Sequence, residues 1–216
     1  MNKIKAVIFD LDGTIANTLP LCIRAFRESI EPLLGKSIAD QEIIATFGPS
    51  EEGTIMALAP DHYHQGVSSY LNNYELLHDI CPQPFEGIRD LLIDLKRYRI
   101  KIALVTGKGA LSTAISLKRF DLFSFFEWIE TGSPNGPRKM DGIQSVLNHM
   151  PDVKKNQVIY IGDAPSDIIA CRAVGVPIAA AAWAETAEVE ELTGLMPDFI
   201  FFDVGNFHEW LLKNIE

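Results

Sequence analysis

Short apolar runs without alternation are the feature that most constrains the fold of this chain. Five segments of strand length consist mainly of apolar residues, at 5–10, 100–106, 157–163, 176–183 and 198–204. A strand with one face in water alternates polar and apolar residues, whereas a strand buried on both faces does not. Helical patterns lie around these segments, at 87–99, 111–120, 141–150, 166–175 and 205–213. The alternation predicts an α/β fold with a doubly wound, mostly parallel sheet, to which 125–131 adds a short strand.

Residues 17–82 interrupt this alternation, because they contain helical patterns and no segment typical of a strand. Pro20 suits the first turn of a helix, and Ser50 is a plausible N-cap. The chain has 216 residues, the length of one large domain or of one domain with an insert. We therefore expect a core domain formed by 1–16 and 83–216, with a helical domain inserted after the first strand.

Composition favours a cytoplasmic protein. The chain has no apolar stretch near the roughly 20 residues of a spanning helix. Asp10 and Asp12 interrupt the apolar segment that a signal peptide would need. The three cysteines, Cys22, Cys81 and Cys171, are far apart and show no CxxC spacing. Neither a disulfide framework nor a structural zinc site is expected from such spacing.

The net charge of −10 limits the possible partners. Nucleic acids and anionic membranes bind through lysine and arginine, so neither is expected as a partner. A small anionic substrate remains compatible with this charge if a metal ion or local positive charge lies at its site. The sequence leaves open whether the protein is a monomer or a homodimer.

Polar residues follow the predicted strands at their carboxyl ends, where ligands bind in open parallel sheets. These residues are Asp10, Asp12, Thr106, Gly107, Lys108, Asp163 and Asp167. Lys139 joins them, because it precedes the helix that leads into the segment 157–163. Four carboxylates at one edge of a sheet need a cation to balance them, and oxygen ligands suit Mg²⁺. A phosphoryl group would complete the balance, with one aspartate as nucleophile and the other as general acid and base.

Four segments of the chain resemble the motifs of the haloacid dehalogenase superfamily, in the same order. They are "DLDGT" at 10–14, "VTG" at 105–107, the lysine at 139 and "IGDAPSD" at 161–167. The linker "PFEG" and the helical insert resemble the members with a C1 cap, the phosphoglycolate phosphatase-like group. The resemblance covers nearly the whole chain and implies a core sheet with a helical cap inserted after strand 1.

The resemblance also implies roles for individual residues. Asp10 would be the nucleophile and Asp12 the general acid and base. Thr106 and Lys139 would bind the phosphoryl oxygens. The ligands of Mg²⁺ would be Asp10, the main-chain carbonyl of Asp12 and Asp163, with Asp167 supporting them.

Some assignments near these motifs stay open. Gly107 and Lys108 are candidate substrate-binding residues, although Lys108 could equally be a solvated surface lysine. Met140 follows Lys139 where many relatives have proline, and Arg138 precedes it. The phosphate-binding base is therefore Lys139 or Arg138. The segment "FGPSEEG" at 47–53 is either a plain turn before a helix or a loop that selects the substrate.

We expect a phosphatase for a small organic phosphate monoester similar to phosphoglycolate. Asp12 disfavours a dehalogenase, which needs no proton donor, and a cap whose one lysine is Lys36 disfavours a phosphonatase. A β-phosphoglucomutase-like mutase, a pyrophosphatase and a nucleotidase remain alternatives, as does a non-enzymatic phospho-acceptor domain. Residues 17–82 contain three basic and nine acidic residues, which suits bisphosphorylated ligands poorly. They are Arg24, Arg27 and Lys36 against Glu28, Glu31, Asp40, Glu42, Glu51, Glu52, Asp61, Glu75 and Asp79.

Overall fold

The central strand of the fold is the first one, β1 (Ala6–Phe9), which is buried along its whole length. The computed structural model describes residues 3–215. All strand pairs are parallel, and the six strands are ordered β3-β2-β1-β4-β5-β6. The others are β2 (Lys101–Val105), β3 (Trp128–Glu130), β4 (Val158–Gly162), β5 (Ile178–Ala181) and β6 (Phe199–Phe201). The predicted parallel sheet is confirmed, and 125–131 does contain a strand.

Six helices cover the two faces of the sheet. They are α5 (Ile88–Arg97), α6 (Ala110–Arg119), α7 (Lys139–Asn148), α8 (Pro165–Val174), α9 (Val189–Gly194) and α10 (Val204–Asn214). Successive residues of β1 enter two separate apolar clusters, Val7 and Phe9 one of them and Ala6 and Ile8 the other. Burial of both faces explains why the strands read as continuous apolar runs. Helix α9 was not among the predicted helices.

Four α-helices lie in the insert between β1 and α5, as the sequence predicts. They are α1 (Leu19–Leu34), α2 (Asp40–Ile44), α3 (Glu51–Leu58) and α4 (Tyr63–Leu76). Helices α1 and α4 pack together, with the rings of Phe26 and Tyr70 4.3 Å apart. Pro20 lies in the first turn of α1, as predicted. Ser50 is the N-cap of α3, but its hydroxyl donates to the Glu52 carboxylate rather than capping the helix.

Two further sequence expectations can be compared with the structure. In the part of the chain that the structure describes, no helix is both long and apolar enough to span a membrane. Cys22, Cys81 and Cys171 are all buried free thiols. The absence of a disulfide framework among them agrees with their spacing.

Candidate active site

Asp10 directly follows β1 and begins the turn that carries the first motif. Its side chain is nearly buried, and the Leu11 N–H donates a hydrogen bond of 2.7 Å to Oδ1. Gly13 in this turn has φ +75°, in the left-handed region that favours glycine. A Cβ on Gly13 would lie 1.9 Å from Oδ2 of Asp163. The turn therefore admits only glycine here, because the Asp163 carboxylate occupies the space of a side chain.

Three carboxylates and one ammonium group form the centre of the site. Oxygens of Asp10, Asp163 and Asp167 lie within 4.8 Å of one another. Lys139 Nζ lies 2.6 Å from Oδ2 of Asp10 and 2.5 Å from Oδ1 of Asp167. Thr14 donates a hydrogen bond of 3.1 Å to Oδ1 of Asp163. The topology brings these residues together because β1 and β4 are neighbours and end at the same edge.

Asp167 is fully buried and held by three kinds of donor. Besides Lys139, the Tyr160 hydroxyl lies 2.8 Å from Oδ1, and the Ala164 N–H lies 3.0 Å from Oδ2. The hydrogen bond from Ala164 N–H caps the first turn of α8. An acidic residue is favoured in this turn because the N-terminus of a helix carries partial positive charge. The buried Asp167 thus holds the Lys139 ammonium group in position beside Asp10.

Burial and mutual repulsion disturb the ionisation of this cluster. Burial raises the pKa of Asp10 to about 6, against the effect of Lys139 and with a further contribution from Asp167. Burial also raises the pKa of Asp163 well above its usual value, and the charges of Asp10 and Asp167 add to the rise. Burial alone would lower the pKa of Lys139, but Asp10 and Asp167 raise it. One ammonium therefore leaves three carboxylates under-neutralised, and the donor set fits a bound dication such as Mg²⁺.

Asp12 points to different partners although it lies two residues from Asp10. Lys108 Nζ is 3.3 Å from Oδ1 of Asp12, and the Thr18 hydroxyl also donates to Oδ1. About a third of the Asp12 side chain is exposed. The two aspartates of the first motif thus occupy different environments, which allows them different chemical roles.

Lys108 is buried between the core and the helical cap. Its side chain is 2% exposed, and Nζ lies 3.1 Å from Cys22 Sγ and 4.4 Å from the centroid of the Tyr74 ring. The alternative of a solvated lysine is therefore wrong. The sequence signal was only the position of Lys108 after the β2 strand end, because its partners Cys22 and Tyr74 belong to the distant cap.

The loop after β2 is fixed by close backbone contacts. The Lys108 N–H donates a hydrogen bond of 3.2 Å to Oγ1 of Thr106, which is almost buried. A Cβ on Gly132, in the loop after β3, would lie 1.8 Å from the carbonyl oxygen of Gly107. The two loops can approach this closely only because residue 132 is glycine. Thr106 and Gly107 are thereby held at the edge of the carboxylate cluster.

Geometry separates the two candidate basic residues at the start of α7, Arg138 and Lys139. Arg138 lies 3.5 Å from the Glu130 carboxylate, and 40% of its side chain is exposed. Lys139 instead contacts Asp10 and Asp167. The structure therefore places Lys139, and not Arg138, at the carboxylates.

A cavity of about 410 Å³ connects this cluster with the cap. Among the residues that line it are all the predicted site residues except the buried Asp167. Gly48, Pro49 and Glu51 of the segment 47–53 line it as well. Glu51 was not among the predicted site residues. It is buried, and its carboxylate accepts a hydrogen bond of 2.7 Å from Gly109 N–H and another from the Ser112 hydroxyl, both on the core.

Comparison with known families agrees with this geometry. The profile of the haloacid dehalogenase-like hydrolases matches residues 7–181. This chain belongs to that family. Its membership confirms the resemblance seen in the four motifs, and it confirms that the protein is a hydrolase with a helical cap.

Relatives within the haloacid dehalogenase-like hydrolases are similar along almost the whole chain. PpaX of Caldanaerobacter subterraneus subsp. tengcongensis is 31% identical over 204 residues, which are 94% of this chain and 92% of that protein. Pyrophosphatase PpaX of Halalkalibacterium halodurans is 28% identical, over 92% of each chain. The solved structure of the haloacid dehalogenase-like family protein SP0104 from Streptococcus pneumoniae has a TM-score of 0.76 and 27% identity. It covers 96% of this chain and 98% of its own.

Proposed function

We propose that this protein is a Mg²⁺-dependent phosphatase that hydrolyses a small phosphate ester through an aspartyl-phosphate on Asp10. The observation that carries the proposal is that Asp10 lines the cavity and has a hydrogen-bond donor at each of its two carboxylate oxygens. Lys139 Nζ lies 2.6 Å from Oδ2, and Leu11 N–H holds Oδ1. A carboxylate fixed at both oxygens beside an enclosed space is preorganised for attack on phosphorus.

The residues at the edge of the sheet fit a bound Mg²⁺. We propose as ligands the carboxylates of Asp10 and Asp163 and the main-chain carbonyl of Asp12, with Asp167 supporting them. The carboxylate oxygens of Asp10, Asp163 and Asp167 lie close together, and this grouping and its excess negative charge support the assignment. When bound, the ion would supply the positive charge that lets a phosphoryl group approach these carboxylates.

The phosphoryl oxygens would be held by residues near Asp10 that line the cavity, namely Thr106, Gly107 and Lys139. We propose the Thr106 hydroxyl, the Gly107 N–H and the Lys139 ammonium group as the donors. Lys108 lines the cavity on the side of Asp12 and would add positive charge near the leaving group. These contacts orient the ester so that the bond to the leaving oxygen points towards the cap.

The reaction then proceeds in two displacements. An Asp10 oxygen forms a bond to phosphorus while the ester bond breaks, and Asp12 donates a proton to the leaving oxygen. Asp12, now a carboxylate, takes a proton from the water that attacks the aspartyl-phosphate. This step releases inorganic phosphate and restores Asp10. General acid–base help of this kind contributes roughly 10²- to 10⁴-fold to the rate.

The helical insert would close the site and select the substrate. We propose that 17–82 is a cap that moves as a unit against the core formed by 1–16 and 83–216. Its contact through Glu51 supports a closed state in which the cavity is shielded from water. The loop 47–53 carries Glu51 and lines the cavity, so we propose it as a substrate-selecting loop.

Inorganic pyrophosphate is a second candidate substrate. The support comes from the relatives, because the similar protein from Halalkalibacterium halodurans is named a pyrophosphatase. The chemistry at Asp10 would be the same, with phosphate as the leaving group in place of an alcohol. The relatives thus favour pyrophosphate over the phosphoglycolate-like ester expected from the sequence.

Phosphate release from a panel of substrates tests the proposal. The panel contains pyrophosphate, 2-phosphoglycolate, sugar phosphates and nucleoside monophosphates, each assayed with Mg²⁺ and with excess EDTA. We expect turnover that requires Mg²⁺ and that is absent in an Asp10→Asn control. Repeated turnover distinguishes an enzyme from a phospho-acceptor domain, which would stop after a single phosphoryl group. Full activity in excess chelator would contradict the proposed role of the carboxylate cluster.

A further inference from the structure

The two lysines that line the cavity differ in how closely they are paired. Lys139 Nζ lies 2.6 Å from Oδ2 of Asp10 and 2.5 Å from Oδ1 of Asp167. Lys108 Nζ lies 3.3 Å from Oδ1 and 3.5 Å from Oδ2 of Asp12, longer than the roughly 2.7–2.9 Å of a strong ammonium–carboxylate hydrogen bond. Lys108 is therefore paired, but less tightly than Lys139, and it retains positive potential towards the cavity.

The other neighbours of the Lys108 ammonium group carry no charge. Nζ lies 3.1 Å from Cys22 Sγ and 4.4 Å from the centroid of the Tyr74 ring, both on the cap. Burial raises the pKa of Cys22 to about 11, although Lys108 lowers it, so the side chain is a neutral thiol and a weak acceptor. The face of an aromatic ring attracts a cation but does not cancel its charge. Of the described residues in contact with Nζ, only Asp12 is therefore an anion.

Lys108 is charged and lies beside the proposed position of the leaving group. Burial alone would lower the pKa of Lys108, but the Asp12 carboxylate and the other neighbours raise it. Lys108 and Asp12 both line the cavity, and Asp12 is the residue proposed to protonate the leaving oxygen. Because Oδ1 of Asp12 is 3.3 Å from Lys108 Nζ, atoms a few bonds beyond the leaving oxygen come within reach of the ammonium group.

The positive charge on the leaving side of the cavity comes from the core and not from the cap. The lysines and arginines of 17–82 are Arg24, Arg27 and Lys36, and none of them lines the cavity. Among the described residues that do, the lysines and arginines are Lys108 and Lys139. A count of charges within 17–82, which makes a second anionic group look unfavourable, therefore misses the cation that faces this side.

Two further carboxylates that line the cavity, Glu51 and Glu188, do not neutralise Lys108. The Glu51 carboxylate accepts hydrogen bonds from Gly109 N–H and from the Ser112 hydroxyl. Glu188 is exposed, so water screens its charge. Neither forms an ion pair with Lys108, whose ion-pair partner among residues 3–215 is Asp12.

We propose that Lys108 is a specificity residue that binds an anionic group on the leaving part of the substrate, close to the leaving oxygen. This inference rests on the proposed phosphatase function and narrows its substrate class. The leaving group is itself an anion, with its charge two or three bonds beyond the leaving oxygen, as in pyrophosphate or 2-phosphoglycolate. Lys108 donates hydrogen bonds to this group and transfers no proton, since the proton on the leaving oxygen comes from Asp12.

A matched pair of esters tests the inference in the wild type. 2-Phosphoglycolate and 2-hydroxyethyl phosphate have the same two-carbon chain, and only the first has a charged leaving group. Pyrophosphate is the third substrate and distinguishes a phosphate from a carboxylate as the anion. We expect kcat/KM to be roughly 10- to 100-fold higher for the better of the two anionic substrates than for 2-hydroxyethyl phosphate, the effect of one hydrogen bond to a charged group.

Lys108→Met removes the charge and keeps the length of the side chain. We expect the ratio of kcat/KM between the anionic and the neutral substrate to fall by about tenfold or more. Disturbed packing, or a displaced Asp12, would instead lower kcat/KM for both substrates alike and leave this ratio unchanged. Lys118→Met is the matched control, since Lys118 is an exposed lysine of the following helix and does not line the cavity.

The outcomes separate the inference from the proposed function. A wild type that hydrolyses 2-hydroxyethyl phosphate at least as fast as both anionic substrates would overturn the anionic substrate class without the use of any variant. An unchanged ratio in Lys108→Met would overturn the role of Lys108. In both cases the phosphatase function stands, since phosphate is released. No Mg²⁺-dependent phosphate release from any substrate of the panel would overturn the proposed function and, with it, the role of Lys108.

Discussion

Glu51 on the helical cap accepts a hydrogen bond of 2.7 Å from the backbone N–H of Gly109 on the core. Gly109 is the N-cap position of α6, where backbone N–H groups lack partners within the helix. A carboxylate at this point is also favoured by the helix dipole. Because the Ser112 hydroxyl donates to the same carboxylate, Glu51 joins the two parts of the protein directly beside the cavity.

Replacing Glu51 with alanine should weaken cap closure. The change leaves Gly109 N–H and the Ser112 hydroxyl without their acceptor, at a cost of about 1–3 kcal/mol to the closed state. We expect kcat/KM to fall by about tenfold or more, measured as phosphate release from the best substrate of the panel. Glu28→Ala is the control, since Glu28 pairs with Arg24 within the cap helix α1. Equal effects of the two variants would show that the contact with Gly109 does not matter for closure.

The two aspartates of the first motif should fail in different ways. Asp10→Asn removes the nucleophile, so turnover and covalent phosphate should both be absent. Asp12→Asn keeps the nucleophile but removes the acid and base, which should slow turnover roughly 10²- to 10⁴-fold. With a nitrophenyl phosphate, whose leaving group needs no proton, phosphate should accumulate on Asp10 and appear as a mass increase of the intact protein. Wild-type turnover of alkyl phosphates by Asp12→Asn would refute the role assigned to Asp12.

The stability of the metal-free protein should depend on the ionisation of Asp10. Folding raises the pKa of Asp10 from 3.8 to about 6, so the native state binds this proton more tightly than the unfolded chain does. The stabilising contribution is fully present below about pH 4 and is lost as pH rises through about 6. In excess chelator, the free energy of unfolding of the wild type relative to Asp10→Asn should therefore decrease between these values. Urea unfolding at a series of pH values measures this difference, and a difference independent of pH would contradict the prediction.

Gly13→Ala should weaken Mg²⁺ binding in addition to straining the backbone. The new Cβ would collide with the Asp163 carboxylate, and the residue has φ +75°. We expect lower stability and a higher Mg²⁺ concentration for half-maximal activity, because Asp163 must move. Gly35→Ala is the matched control: its φ is +64°, but a Cβ there would have nothing within 4 Å. It should show the cost of the backbone conformation alone, with an unchanged Mg²⁺ requirement.

The residues of the site that could be predicted are those fixed by the sheet. Asp10, Thr106 and Asp163 each follow a strand directly. Continuous apolar runs predict that these strands are buried and parallel, and parallel strands end at the same edge of the sheet. Lys139 required the resemblance to a family, because its neighbour Arg138 has the same charge. The structure separates the two. Lys139 begins α7 and contacts Asp10 and Asp167, whereas Arg138 precedes the helix and contacts Glu130.

The contacts between cap and core could not be predicted. Glu51 reaches Gly109 across 58 positions, and Lys108 meets Cys22 across 86. No local pattern reports such pairs, because they depend on how the helical insert sits on the sheet.

The central position of β1 has a consequence for synthesis of the chain. Residues 6–9 are synthesised well before their neighbours in the sheet, which are 101–105 on one side and 158–162 on the other. Until the second of these has been made, a strand that is buried along its whole length in the folded protein has an open edge, which is a ready template for pairing with another chain. Sheets built from such distant partners fold slowly and are prone to aggregation while incomplete. The arrangement that brings Asp10 next to Asp163 therefore leaves the first strand of the nascent protein open to pairing with other chains until 158–162 has been made.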